Sequence, residues 1–105
     1  MNLEQFLDNK LRNSWLDEGV LSVYVRKGIH YINGNNTDTF DIANVVVEEE
    51  HQKQGVFTKF IERVEKAITL PIYVENIHHS WLVDFFSRRG YNIIDIGGLK
   101  SAIKR

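Results

Sequence analysis

From Leu3 the apolar residues fall at Leu3, Phe6, Leu7, Leu11 and Trp15 with charged residues between them, close to the spacing of one helix face. That pattern predicts an amphipathic helix over residues 3–17, stopped at Gly19. Leu21, Val23 and Val25 then alternate with Ser22, Tyr24 and Arg26, which is the period of a half-buried strand. Lys27-Gly28 predicts a turn into a second strand over 29–32, and Asn33-Gly34-Asn35-Asn36-Thr37-Asp38 is the strongest turn signal in the chain. A longer strand is expected over 40–47. Its centre, Ala43-Asn44-Val45-Val46-Val47, is apolar on both sides, as in an interior strand covered on two faces.

After Gly55 comes the clearest helix, with Val56, Phe57, Phe60, Ile61, Val64, Ala67 and Ile68 on one stripe and Lys59, Glu62, Arg63, Glu65 and Lys66 opposite. Leu70-Pro71 breaks it, and Ile72-Tyr73-Val74 is a short buried strand. Trp81, Leu82, Phe85 and Phe86 mark a further amphipathic helix, with Gly90 as its C-terminal cap. Residues 91–96 and 99–103, joined by Gly97-Gly98, form a hairpin with a two-residue turn. The order is helix, three strands, helix, strand, helix, two strands. A strand-helix-strand crossover among hairpins means a layered α/β (α+β) domain: a mixed, mostly antiparallel sheet with helices on both faces. The expectation is a single domain over residues 1–105.

Composition narrows the functional classes. The chain has 105 residues, 43% of them hydrophobic and 26% charged, and no cysteine. Disorder, disulfide scaffolds, thiolate zinc sites and cysteine nucleophiles are excluded. A net charge of −1 with cations scattered among acids argues against a nucleic-acid partner. No apolar run is long enough for a membrane helix and no secretory signal stands at the N-terminus, so the expectation is a cytoplasmic protein with no membrane partner. Asn35-Asn36-Thr37 fits a glycosylation sequon and is read as a polar turn. His78-His79 are weighed as metal ligands, but adjacent helical residues do not face one site, and no metal is expected.

Candidate chemistry concentrates at the junction Glu48-Glu49-Glu50-His51-Gln52-Lys53-Gln54-Gly55-Val56-Phe57-Thr58-Lys59-Phe60. A helix N-terminus there offers unpaired N–H groups and partial positive charge to an anion, and Gly55 lets a ligand approach the backbone. The nucleotide-triphosphate loop pattern is absent, and one glycine is too few for a dinucleotide fingerprint. On these residues alone, an ordinary strand-to-helix turn is the favoured reading.

Gln52-Lys53-Gln54-Gly55-Val56-Phe57 resembles the acetyl-CoA motif Gln/Arg-x-x-Gly-x-Gly/Ala of the GCN5-related N-acetyltransferase (GNAT) superfamily, with Phe57 in place of the final small residue. Phe85-Phe86-Ser87-Arg88-Arg89-Gly90-Tyr91 is similar to that family's second signature, Phe-Tyr-x-x-x-Gly-Phe. The resemblance spans residues 40–96 and implies a short member of the acyl-CoA N-acyltransferase fold. It implies acetyl-CoA as co-substrate, lying in a V between two splayed strands. The pantetheine would pair with Val45 and Val47, and the pyrophosphate would rest on Gln52, Lys53, Gln54, Gly55, Val56, Phe57 and Thr58. His79 and Phe86 would also border the cofactor.

The implied reaction is direct attack of a primary amine on the thioester in a ternary complex, which needs a base, an oxyanion site and an acid. Glu48, Glu50 and His51 are the base candidates, with a solvated acidic loop as the alternative reading of the glutamates. Phe86 stands where the family has its acidic tyrosine, and Ser87 is the candidate substitute. Trp15 and Tyr24 either line an acceptor pocket or belong to the core. The acceptor is expected to be a small amine or a protein, and a homodimer is one way to complete an open cleft. The competing readings are a degenerate fold member that binds CoA or a protein without catalysis, and a small interaction module with accidental motif likeness.

Overall fold

The computed structural model describes residues 1–47 and 55–105. Helix α1 (Leu3–Leu7) begins with a reciprocal capping box between Asn2 and Gln5. Strands β1 (Asn13–Glu18), β2 (Leu21–Ile32) and β3 (Asn35–Val47) follow as an antiparallel meander. Then come α2 (Val56–Ala67), β4 (Ile72–Val74), α3 (Ser80–Arg88), β5 (Asn92–Ile96) and β6 (Leu99–Lys104). The six strands form one sheet in the order β1-β2-β3-β4-β6-β5, antiparallel except where β4 pairs β3. The expected mixed, mostly antiparallel sheet is therefore present. No helix among the described residues is long and apolar enough to cross a membrane.

Two expectations about the N-terminal third are corrected. The helix predicted over 3–17 stops at Leu7, and residues 13–18 are a strand. The Asn9 side chain accepts the Leu11 N–H at 2.9 Å, a local turn that competes with helix continuation. Leu11 and Trp15, which completed the apparent helical stripe, are exposed, and the core residue is Leu16. The turn predicted at Lys27-Gly28 is absent: β2 runs unbroken, with Gly28 opposite Thr39. A Cβ on Gly28 would lie 2.2 Å from Oδ2 of the buried Asp41. The glycine makes room for a carboxylate. The reversal occurs at Asn33-Gly34, both with positive φ (51° and 84°), the backbone of a type I′ hairpin turn.

All three helices cover the same face of the sheet, which corrects the expectation of helices on both. Phe6 of α1 meets Phe40 of β3 edge-on at 6.2 Å between ring centroids. Arg63 of α2 donates to Glu4 of α1 (2.8 Å) and to Glu18 at the end of β1 (2.7 Å). Phe86 of α3 packs against Phe57 of α2 at 5.9 Å. Leu21, Val23, Val25, Phe40, Ile42, Ile72 and Val74 face these helices and are buried. The opposite face carries Tyr24, Arg26, His30, Asp41 and Tyr73; Arg26 and His30 bond Asp41, and the His30 ring stacks on Tyr73. Val46 on that face is 52% exposed, so the centre of β3 is not covered on two sides.

Helix α3 ends as its glycine foretells. Gly90 takes φ 87°, and the Gly90 and Tyr91 N–H groups donate back to the carbonyls of Ser87 (3.1 Å) and Phe86 (3.0 Å). This is the Schellman pattern, and it turns the chain into β5.

Candidate functional site

The sheet opens between β3 and β4. Their parallel ladder lasts three pairs, Phe40 with Ile72, Asp41 with Tyr73 and Ile42 with Val74. One further bond follows, from the Glu75 N–H to the Ile42 carbonyl at 2.9 Å. Beyond it the strands part for two local reasons. On β3 the register with β2 slips between Tyr24 and Val25, so that Ala43 has no partner opposite. Such a bulge bends its strand and raises the local twist. After β4, Asn76 adopts a left-handed φ of 51°, a conformation that asparagine tolerates better than most residues. The chain then joins β6 through the Ile77 N–H, which donates to the Lys100 carbonyl at 2.9 Å.

The resulting V is a cleft of about 100 Å³. Ile42, Asn44 and Val45 form one wall, residues 74–79 the other, and Phe57, Leu82 and Phe86 the floor. At its end α2 starts with Gly55 in the left-handed conformation (φ 72°), with no side-chain cap and no acidic residue in the first turn. Backbone N–H groups at such a start have no partner within the helix, and the macrodipole favours an anion there.

The residues singled out from the sequence distribute as follows. Val45, Phe57, His79 and Phe86 line the cleft together. Gly55 is the N-cap of α2, while Val56 and Thr58 are half-buried in its first turn. Val47 ends β3. Phe57 is buried against Phe85 (5.3 Å), Phe86 (5.9 Å) and the edge of Trp81 (6.3 Å), so its ring fills the core where the motif has a small residue. Phe86 is fully buried and also touches Tyr91 at 4.8 Å. Ser87 is exposed on α3, apart from the cleft lining. His78 and His79 precede α3 and border the cleft. Glu48, Glu50, His51, Gln52, Lys53 and Gln54 lie outside the described residues. Trp15 is half exposed and its ring meets Tyr24 at a tilt of 53°, 5.4 Å between centroids, on the uncovered face.

That face holds a polar cluster which the sequence pattern did not reveal. Asp41 is 1% exposed. Its Oδ1 accepts the Thr39 hydroxyl (2.6 Å), while Oδ2 accepts Arg26 Nε (3.3 Å) and contacts His30 Nε2 (2.9 Å). Arg26 also donates to Glu75, and the ion pair raises its pKa further above the ordinary guanidinium range. The His30 ring lies flat on Tyr73, 3.8 Å between centroids and 13° from parallel. His30, Asp41 and Glu75 offer ligand atoms within 4.8 Å of one another, but the Arg26 guanidinium already bonds both carboxylates where a metal ion would sit. The signal for this cluster was period two along an unbroken strand, which puts Tyr24, Arg26, Gly28 and His30 on one side. Reading a turn at Gly28 concealed it.

A second network lies behind the cleft. Glu65 of α2 accepts the Tyr91 hydroxyl (2.9 Å) and Arg89 Nε (3.3 Å), with Lys104 Nζ at 3.5 Å. Burial pushes the Glu65 carboxyl up, and hydrogen bonds from Arg89 and Tyr91 more than reverse it, leaving it below its ordinary range. Burial, and then the bond to that carboxylate, pushes the Tyr91 phenol well above its own range.

No protein-family model matches the sequence, and no curated protein matches it. Solved structures do share its fold. The chain is similar to one in the crystal structure of a KacTA–DNA complex, with a TM-score of 0.62 and 14% identity. It is also similar to one in the structure of a tyrosine-to-phenylalanine mutant of the AtaT toxin bound to the C-terminus of the antitoxin AtaR and acetyl-CoA, with a TM-score of 0.62 and 11% identity. Each match covers 81% of this chain and 57% of the other, so the chain spans little more than half the length of those structures. Likeness at such identity shows the fold, which is the acyl-CoA N-acyltransferase (GNAT) fold.

Proposed function

We propose that the protein is an acetyl-CoA-dependent N-acetyltransferase, passing an acetyl group to a primary amine by direct attack in a ternary complex. The observation that carries this reading is the parting of β3 and β4 after three ladder pairs, at a bulge on one side and a left-handed asparagine on the other. The splay leaves backbone N–H and C=O groups along one wall without strand partners, and an extended amide-bearing chain such as pantetheine satisfies them as an added strand would. The start of α2, uncapped and free of acidic side chains in its first turn, is where a pyrophosphate gains from the helix dipole. A neighbour with this fold holds acetyl-CoA.

In this reading Val45 and Val47 contact the pantetheine arm, and Gly55, Val56, Phe57 and Thr58 with Gln52, Lys53 and Gln54 receive the pyrophosphate. His79 and Phe86 close the acyl end. The acceptor is a small amine, a protein lysine or a protein N-terminus. Phe86 has no proton to give a departing thiolate, and it is fully buried. This favours a second reading, a fold member that binds CoA or a protein without turnover.

Calorimetric titration with acetyl-CoA tests the assignment, with Asn44→Trp, an exposed wall residue, as the blocking variant and Gly55→Glu at the helix start. Micromolar binding by the wild type that both variants abolish is expected. Equal affinity in folded variants overturns the cleft assignment, and binding with no CoA release on any amine moves the function to the second reading.

A further inference from the structure

The uncovered face of the sheet places a histidine, two carboxylates and an arginine at the apex of the V. Arg26 and Gly28 on β2 stand across from Asp41 and Thr39 on β3, with His30 two residues further along β2 opposite Thr37, and Tyr73 on β4 pairs with Asp41 from the other side. Glu75, one residue beyond β4, makes the last backbone bond before the strands part. Glu75 and Asn76 line both the V cleft and a separate pocket of about 310 Å³ on the uncovered face, walled by His30, Tyr73, Ile94 and Ser101. That volume is at the lower end of the range for small-ligand sites, about 300–1,000 Å³. An acyl group at the apex and a ligand in the pocket therefore meet across Glu75.

We propose that this pocket admits the acceptor amine, that Glu75 and Asp41 attract its ammonium group, and that His30 is the base that removes its proton. The proposal rests on the acetyl-CoA reading above and names the acceptor side of the same site. Asp41 and Glu75 carry two negative charges, Arg26 one positive charge and a neutral imidazole none, so the cluster is one charge short of neutral and suits a monocation. A divalent metal would have to displace Arg26, and an anionic acceptor would be repelled. The bond from His30 Nε2 to the buried Asp41 carboxylate assigns the ring proton to Nε2 and leaves Nδ1 with its lone pair. Stacking on Tyr73 fixes the ring plane. Asp41 is thus a positioning residue, itself held by Thr39 and Arg26.

The step balances. His30 Nδ1 takes one proton from the ammonium, and the cluster's total charge is unchanged because the imidazolium replaces the ammonium. The freed lone pair attacks the thioester carbonyl carbon, a C–N bond forms and the C–S bond breaks. The second amine proton goes to the departing CoA thiolate, and His30 later returns its proton to solvent.

The test uses n-butylamine and a lysine peptide with a blocked N-terminus as acceptors, which separates small-amine from protein acceptors. CoA release is read by thiol titration, which has no background because the chain has no cysteine. For His30→Gln the expected result is unchanged acetyl-CoA affinity and kcat/KM for the amine lower by about 10²-fold or more. Glu75→Gln is expected to raise KM for the amine more than it lowers kcat. If His30→Gln does not fold, NMR of the wild-type protein is the deciding experiment: the His30 ring protons shift with n-butylammonium and not with acetate. Full turnover in folded His30→Gln overturns the proposal, as does a wild type that binds acetyl-CoA but neither acetylates an amine nor shows the ring shift. A wild type that fails to bind acetyl-CoA overturns both this proposal and the cofactor reading, and shows in the calorimetry alone.

Discussion

Replacing Glu65 by glutamine tests whether hydrogen bonding outweighs burial behind the cleft. Glu65 is 14% exposed at its side chain and Arg89 26%, so their charge-assisted bonds are only partly screened. A hydrogen bond to a charged group contributes about 1.5–3 kcal/mol. Glutamine keeps the shape and one acceptor oxygen, the freed guanidinium can hydrate, and Lys104 at 39% exposure adds little. The expected loss is about 1–2 kcal/mol, a fall in Tm of about 4–10 °C for a domain of this size. The pH dependence has a definite sign. The native carboxyl lies below its unfolded value, so its contribution is complete above the unfolded pKa and disappears as pH falls through the native one. Thermal unfolding of both proteins from neutral to acidic pH should show a gap that is full at neutrality and closes in acid. Burial acts in the opposite direction and is the largest single influence on this group. If it prevailed, Glu65→Gln would be the more stable protein at neutral pH, with the difference disappearing in acid, and that result would overturn the prediction.

Three further outcomes follow from the packing and the cluster. Phe57→Ala removes a ring that touches three others and should cost about 3–5 kcal/mol in urea unfolding; a cost below about 1 kcal/mol would mean that the ring is not part of the core. Gly28→Ala drives a methyl group into the pinned Asp41 carboxylate, with an expected cost of about 1–3 kcal/mol and a loss of amine turnover at unchanged acetyl-CoA affinity; a neutral effect on both would mean that Asp41 is free to move aside. Glu48→Gln and Glu50→Gln should retain turnover if His30 is the base, and abolition by either, with His30→Gln active, would return the base to the segment before α2.

The elements read most securely from the sequence carry their own punctuation. Pro71 separates α2 from β4, Gly90 takes the left-handed cap of α3, and Gly97-Gly98 (φ 60° and 88°) form the turn between β5 and β6. Of the residues singled out from the sequence, Val45, Phe57, His79 and Phe86 converge on one cleft, with Phe57 and Phe86 lying one in each motif. The misread segments are those where tertiary demands override local pattern. Leu11 and Trp15 sit at helical spacing yet are exposed, and Gly28 is a glycine because Asp41, thirteen residues on, needs its space. The His30–Asp41–Glu75 cluster was invisible because its members lie on three elements and come together only through sheet register. The one-sided placement of the helices also depends on long-range packing, as in the bonds from Arg63 to Glu4 and Glu18.

We propose that acetyl-CoA lies in the V between β3 and β4. The most direct measurement is amide NMR of the labelled protein during titration with acetyl-CoA. Saturable shifts are expected at Asn44 and Val45 on one wall, at Val74 and Asn76 on the other, and at Val56, Phe57 and Thr58 at the start of α2, with Trp15 on β1 and Asn35 at the distant end of β3 unmoved. Shifts confined to residues outside the V, or none at saturating acetyl-CoA, would contradict it.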